Sequence, residues 1–107
     1  CPFIRYINER STFQSCKAYL MKDCEKQVLL IAQEECAEVT QAISKVFRFG
    51  YDSVYNDRTN HQRLTEEVGD LIAMIKLMSD NNIIDIDEVS KASERKITKL
   101  KTWSSIL

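Results

Sequence analysis

Apolar residues recur at helical spacing along most of this chain, and in three stretches the apolar stripe is interrupted by a charge. At 3.6 residues per turn, each residue advances about 100° around a helix axis. Between Val28 and Phe49 the stripe holds Val28, Ala32, Val39, Ala42, Ile43 and Val46, and Glu35 falls inside it. Leu64, Val68, Leu71, Ile75 and Met78 form a second stripe, with Glu67 projecting between Met74 and Met78. A third, made of Val89, Ala92, Leu100, Trp103 and Leu107, encloses Lys96. An unpaired buried charge costs several kcal/mol or shifts its pKa until it neutralises. Two inward carboxylates and one inward ammonium therefore need a shared partner. A metal ion with a bound polyphosphate would satisfy all three.

With 107 residues the chain is expected to form one all-α domain over 1–107. Two glycines and one proline leave few turn signals, which favours long helices over many short strands. Ser11 with Gln14 reads as a capping box opening a short helix to about Lys22. Asp23 is the expected N-cap of a long helix from about residue 24 to Phe49, and Gly50 takes its C′ position, where a left-handed residue is needed. The stretch from Gly50 to Asn60 is polar and unpatterned and reads as a loop. Thr59 with Gln62 opens another helix, to about Asp80, ended by Asn81 and Asn82. Asp85 with Glu88 caps a last helix through roughly Trp103. The expected architecture is an antiparallel bundle of about four helices.

Fifteen basic against sixteen acidic residues give a net charge of −1, so nothing overall suggests a nucleic-acid binder. Val28–Ala32 is far too short to span a bilayer, and no secretory signal pattern opens the chain. The sequence starts at Cys1 rather than Met, which leaves room for native residues before it. Cys1, Cys16, Cys24 and Cys36 match no zinc pattern, and Cys36 is placed near the core face. The four are read as free thiols of a cytoplasmic protein, none of them catalytic.

The acids carry most of the chemistry. Glu34, Glu35 and Glu38 share one helix; Glu66, Glu67 and Asp70 share the next. Residues three and four apart are neighbours on a helix surface, so each trio stacks like charges. The second trio has only Arg63 as a local counter-charge and the first has none. Acidic pairs of this kind are ordinarily a solvated helix face. Glu35 and Glu67 depart from that default because they lie inside core stripes, whereas Asp85 and Glu88 merely cap a helix. If the helices pack antiparallel, the trios face one another, and hard carboxylate oxygens suit Mg²⁺, with Mn²⁺ as the alternative. A ferritin-like di-iron site would need Glu-x-x-His motifs, and the single histidine, His61, stands at a helix start as an expected surface residue.

Glu34-Glu35-Cys36-Ala37-Glu38 followed by Glu66-Glu67-Val68-Gly69-Asp70-Leu71 resembles the E-E-x-x-E … E-x-x-D signature of the all-α nucleoside triphosphate pyrophosphohydrolases, the MazG-like superfamily. The stretch ECAEVTQAISKVFRFG is similar to the small MazG-like proteins common in bacteriophages. The resemblance covers about residues 24–103, and the segment between the two motifs is wide for the family. It implies Mg²⁺ bound by two acids of each motif, here Glu35, Glu38, Glu67 and Asp70, and a homo-oligomer, dimer or tetramer. If the chain is phage-encoded, its place would be the host cytoplasm.

Lys45 follows Glu38 by two turns, about 20° away on the same side, and is placed to reach a phosphate. Arg48 is either a second phosphate ligand or a solvated residue. Lys91, Arg95, Lys96, Lys99 and Lys101 form a basic run in which Lys96 and Lys99 turn inward, and the resemblance implies triphosphate contacts there. Tyr51 and Tyr55 either stack on a base or pack on the bundle. The expected activity is Mg²⁺-dependent hydrolysis of a nucleoside triphosphate, on ribo- or deoxyribonucleotides, to the monophosphate and pyrophosphate. Glu35, Glu38, Glu67 and Asp70 would hold the metal, and Glu34 would orient or deprotonate the water. The competing expectation is a non-catalytic helical dimerisation or interaction module with a structural cation site.

Overall fold

The computed structural model describes residues 21–106. Helix α1 spans Asp23–Phe49, strands β1 (Val54–Tyr55) and β2 (Arg58–Thr59) follow, then helix α2 over Asn60–Asp80 and helix α3 over Ile86–Trp103. The expected helix over residues 11–22 lies outside the described residues, except for Met21 and Lys22, which are not helical.

No glycine or proline interrupts α1. Its N-cap is Lys22, whose side chain makes no capping bond, and not Asp23 as the sequence suggested. Asp23 instead joins Glu25 in the first turn, where the orphan N–H groups and the helix dipole favour negative charge. At the other end the Gly50 N–H donates to the Val46 carbonyl at 2.8 Å. Gly50 has φ 86°, a conformation that strains any residue with a Cβ.

The segment between the helices is not a plain loop. Val54 pairs with Thr59 and Tyr55 with Arg58 in a small antiparallel hairpin. Asn56 and Asp57 both have positive φ, at 51° and 63°, the pattern of a type I′ turn that matches strand twist. Asn60 then locks the connection: it is buried, and its Nδ2 donates to the Gly50 carbonyl at 2.9 Å and the Lys45 carbonyl at 3.4 Å. Helix α2 opens with the expected capping box. The Thr59 hydroxyl accepts from the Gln62 N–H and the Gln62 side chain accepts from the Thr59 N–H.

This connection turns α2 back along α1, so Asn60 lies by the end of α1 and Asp70 meets Glu35 nearer its start. Ala32 and Ala42 of α1 and Met74 of α2 are the buried apolar residues of this antiparallel pair, and among the described residues no side chain is wholly buried. Small alanines at the contact let the helices approach closely.

Helix α3 departs from the bundle expectation. Asp85 caps it as expected, its Oδ1 accepting from the Asp87 and Glu88 N–H groups. Beyond that turn α3 makes no substantial packing with α1 or α2 and buries none of its residues. Val89 is 37% exposed and Trp103 85%, so among the described residues the third apolar stripe is left largely uncovered. Lys96 is accordingly exposed, not enclosed. Cys24 and Cys36 are free thiols; Cys36 is exposed, away from the core face assigned to it. No described helix is long and apolar enough to cross a membrane.

Candidate metal centre

The antiparallel pairing of α1 and α2 sets the two acidic motifs against each other. Glu35 and Glu38 are one turn apart on α1; Glu67 and Asp70 are one turn apart on α2. One carboxylate oxygen from each can be chosen so that all four lie within 4.8 Å of one another. Glu38 and Asp70 are exposed, while Glu35 and Glu67 are half-buried.

Four carboxylates this close resist simultaneous ionisation. Burial, then the charges of Glu38 and Asp70, pushes the Glu35 carboxyl above its ordinary pKa. A hydrogen bond shared with Glu38 does the same for Glu67, followed by burial and by the charges of Glu38, Asp70 and Glu35. The geometry also leaves polar atoms unmet: Glu35 Oε2 and Glu67 Oε2 are shielded from solvent and accept no hydrogen bond. Buried oxygens without partners, one on each helix and both in the same cluster, fit a divalent cation, which takes hard carboxylate oxygens.

Beside the acids lies a cavity of about 170 Å³ lined by Glu38, Gln41, Ala42, Lys45, Asn60, Arg63 and Glu67. Lys45 thus lines the same cavity as Glu38 and Glu67. Glu34 is exposed at the outer edge of the cluster, and its charge contributes to the raised pKa of Glu35. Arg48 turns elsewhere: its guanidinium lies 4.9 Å from the centroid of the Phe49 ring, and Arg48 does not line the cavity. Lys96 and Lys99 sit on α3, and the single chain does not bring them to the acids. Of the loop tyrosines, Tyr51 meets His61 edge to face with centroids 5.8 Å apart, and His61 is exposed as expected.

Two residues of the site were not singled out from the sequence as functional. Arg63 donates through Nη2 to the Tyr55 carbonyl and lies over the Tyr55 ring, while its Nε is shielded and unpartnered. Asn60 forms the floor between helix and hairpin. Both follow the helical spacing that placed the acids, since Arg63 precedes Glu67 by one turn and Asn60 precedes Arg63 by another. Arg58 of the hairpin pairs with Glu66, which fixes the hairpin to the helix that carries Glu67.

Facing helices thus bring together a partly exposed acid cluster that could hold a metal ion, flanked by a lysine and an arginine. Residues 23–103 match the family described as the MazG nucleotide pyrophosphohydrolase domain, and the chain belongs to that family. No curated protein and no solved structure gives a match to set beside it.

Proposed function

We propose that the protein is a Mg²⁺-dependent hydrolase that splits a nucleoside triphosphate into the monophosphate and pyrophosphate. The observation that carries this reading is the convergence of Glu35, Glu38, Glu67 and Asp70, with two shielded oxygens lacking any partner. Family membership supplies the reaction class. These four residues would hold the cation, which when bound supplies positive charge to phosphate oxygens and acidifies water. Mn²⁺ fits the same donor set.

The rest of the chemistry falls to side chains of the chain. Glu34, exposed beside Glu35, is the group to take up the proton of the attacking water. Lys45 and Arg63, on the wall of the adjoining cavity, orient the polyphosphate and offset charge as it develops. The exposed apolar residues of α2 and α3, such as Ile72 at 59% and Trp103 at 85%, favour a homo-oligomer, dimer or tetramer. A partner copy covering them is also the route by which Lys96 and Lys99 would reach a bound triphosphate. Ribo- and deoxyribonucleotides are both candidate substrates.

Pyrophosphate release from a panel of nucleoside and deoxynucleoside triphosphates with Mg²⁺ tests the reading. Turnover of at least one, lost on chelation, is the expected result. Silence across the panel contradicts it and leaves a cation-stabilised helical interaction module.

A further inference from the structure

A second cavity, of about 430 Å³, opens on the hairpin side of the site and is lined by Phe49, Ser53, Val54 and Tyr55 together with Lys45, Asn60 and Arg63. The last three also line the cavity beside the acids, so the two spaces share a wall. Their chemistry differs. The acid side is carboxylate and cation; the hairpin side presents two aromatic rings and a valine, all more than half exposed. Its volume falls in the range of pockets that hold a small organic ligand.

We propose that this hairpin cavity receives the nucleoside end of the substrate, with Tyr55 and Phe49 as the surfaces on which the base stacks. The inference rests on the pyrophosphohydrolase reading and adds to it where the base lies and what holds it. A triphosphate drawn to the acid cluster has one long apolar-faced appendage, and the adjoining space with aromatic walls is the one that matches it. Lys45 and Arg63, on the wall common to both cavities, suit the phosphate nearest the sugar. The shielded Arg63 Nε without a partner is a donor available for it. The same guanidinium holds the hairpin through the Tyr55 carbonyl, with its carbon 5.4 Å from the ring centroid, so it links the two ends of the site. Because every base has a π-face, such walls favour a nucleoside over bare phosphate and discriminate weakly between bases.

Calorimetric titration of the full chain with Mg²⁺ tests this, using a non-hydrolysable nucleoside triphosphate and inorganic tripolyphosphate as the two probes. Wild type should bind the nucleotide more tightly than tripolyphosphate. Tyr55→Ala should lose about tenfold in nucleotide affinity, for purine and pyrimidine probes alike, and keep its tripolyphosphate affinity. Tyr55→Phe should retain both. Phe49→Ala, on the helix and outside the hairpin, should show the same selective loss even if the first variant disturbs the hairpin. Equal loss for both probes, or no loss for either in both alanine variants, overturns the nucleoside pocket. Tripolyphosphate binding without any gain from the nucleoside overturns it as well and leaves the acid site standing. Failure of wild type to bind either probe removes the pyrophosphohydrolase reading itself.

Discussion

Helices α1 and α3 both carry an apolar stripe broken by a charge, yet among the described residues one of those charges sits in a cluster and the other stands on an unpacked helix. Glu35 of α1 is half-buried and within reach of Glu38, Glu67 and Asp70, because the hairpin connection returns α2 alongside α1. Lys96 of α3 is exposed on a helix with no buried residue. The difference teaches that a stripe at helical spacing records a need for cover without naming what supplies it. For α1 the cover is the next helix along the chain. For α3 no described element supplies it, and the proposed second copy is one source.

The largest expected effect breaks the α1 side. Glu35→Gln or Glu67→Gln should lower turnover by on the order of a hundredfold or more, as loss of one preorganised charged group does. The metal-free melting temperature should hold or rise, because the change relieves repulsion within the cluster. A marked drop in that temperature would instead identify the residue as a structural ion-pair partner. On the α3 side the expectation is smaller and of another kind. Lys96→Met should weaken nucleotide binding by roughly ten- to a hundredfold and leave metal-free stability unchanged, since Lys96 is exposed in the chain. Unchanged affinity would return Lys96 to the solvated face and remove α3 from the site.

Much of the contrast was legible in advance, and the reasons are physical. Local signals worked where side chain and backbone act within one turn: Thr59 with Gln62 at the start of α2, Asp85 at the start of α3, Gly50 after α1. Glu35 and Glu67 were legible because they interrupt apolar stripes on sequence-adjacent helices, while Glu38 and Asp70 were singled out through the family resemblance. The hairpin was not, since two-residue strands are too short to show alternation. Its trace in the sequence was Asn56-Asp57, two residue types that tolerate positive φ. Arg63 read as a mere counter-charge to its own helix, and its bond to the Tyr55 carbonyl depends on that unrecognised hairpin. The packing of α3 was illegible for a different reason: amphipathicity has no address.

Smaller effects sharpen the same comparison. Thr59→Ala removes the cap that begins α2 at the hairpin, and denaturant unfolding should show a loss of about 1 kcal/mol. Because α2 carries Glu67 and Asp70, metal affinity should weaken with it.

The smallest signal is the pH dependence of the metal-free protein. Glu35 and Glu67 have folded pKa values raised above those of the unfolded chain. The stability they contribute is therefore complete below the ordinary glutamate pKa and is lost as pH rises through the raised values. Melting temperature in chelator should fall across that window, and Mg²⁺ should remove the fall. An apo profile that rises with pH over the same window would mean that the carboxylates are paired with cations of the protein instead.

The account stands most directly on whether the four carboxylates bind a divalent cation together with a triphosphate. Calorimetric titration of Mg²⁺ into the protein, alone and with a non-hydrolysable nucleoside triphosphate, measures that coupling. The expected result is weak binding of Mg²⁺ alone, tighter binding with the nucleotide, and loss of both in Glu67→Gln. Equal Mg²⁺ affinity with and without nucleotide, or a Glu67→Gln variant that titrates like wild type, would contradict it.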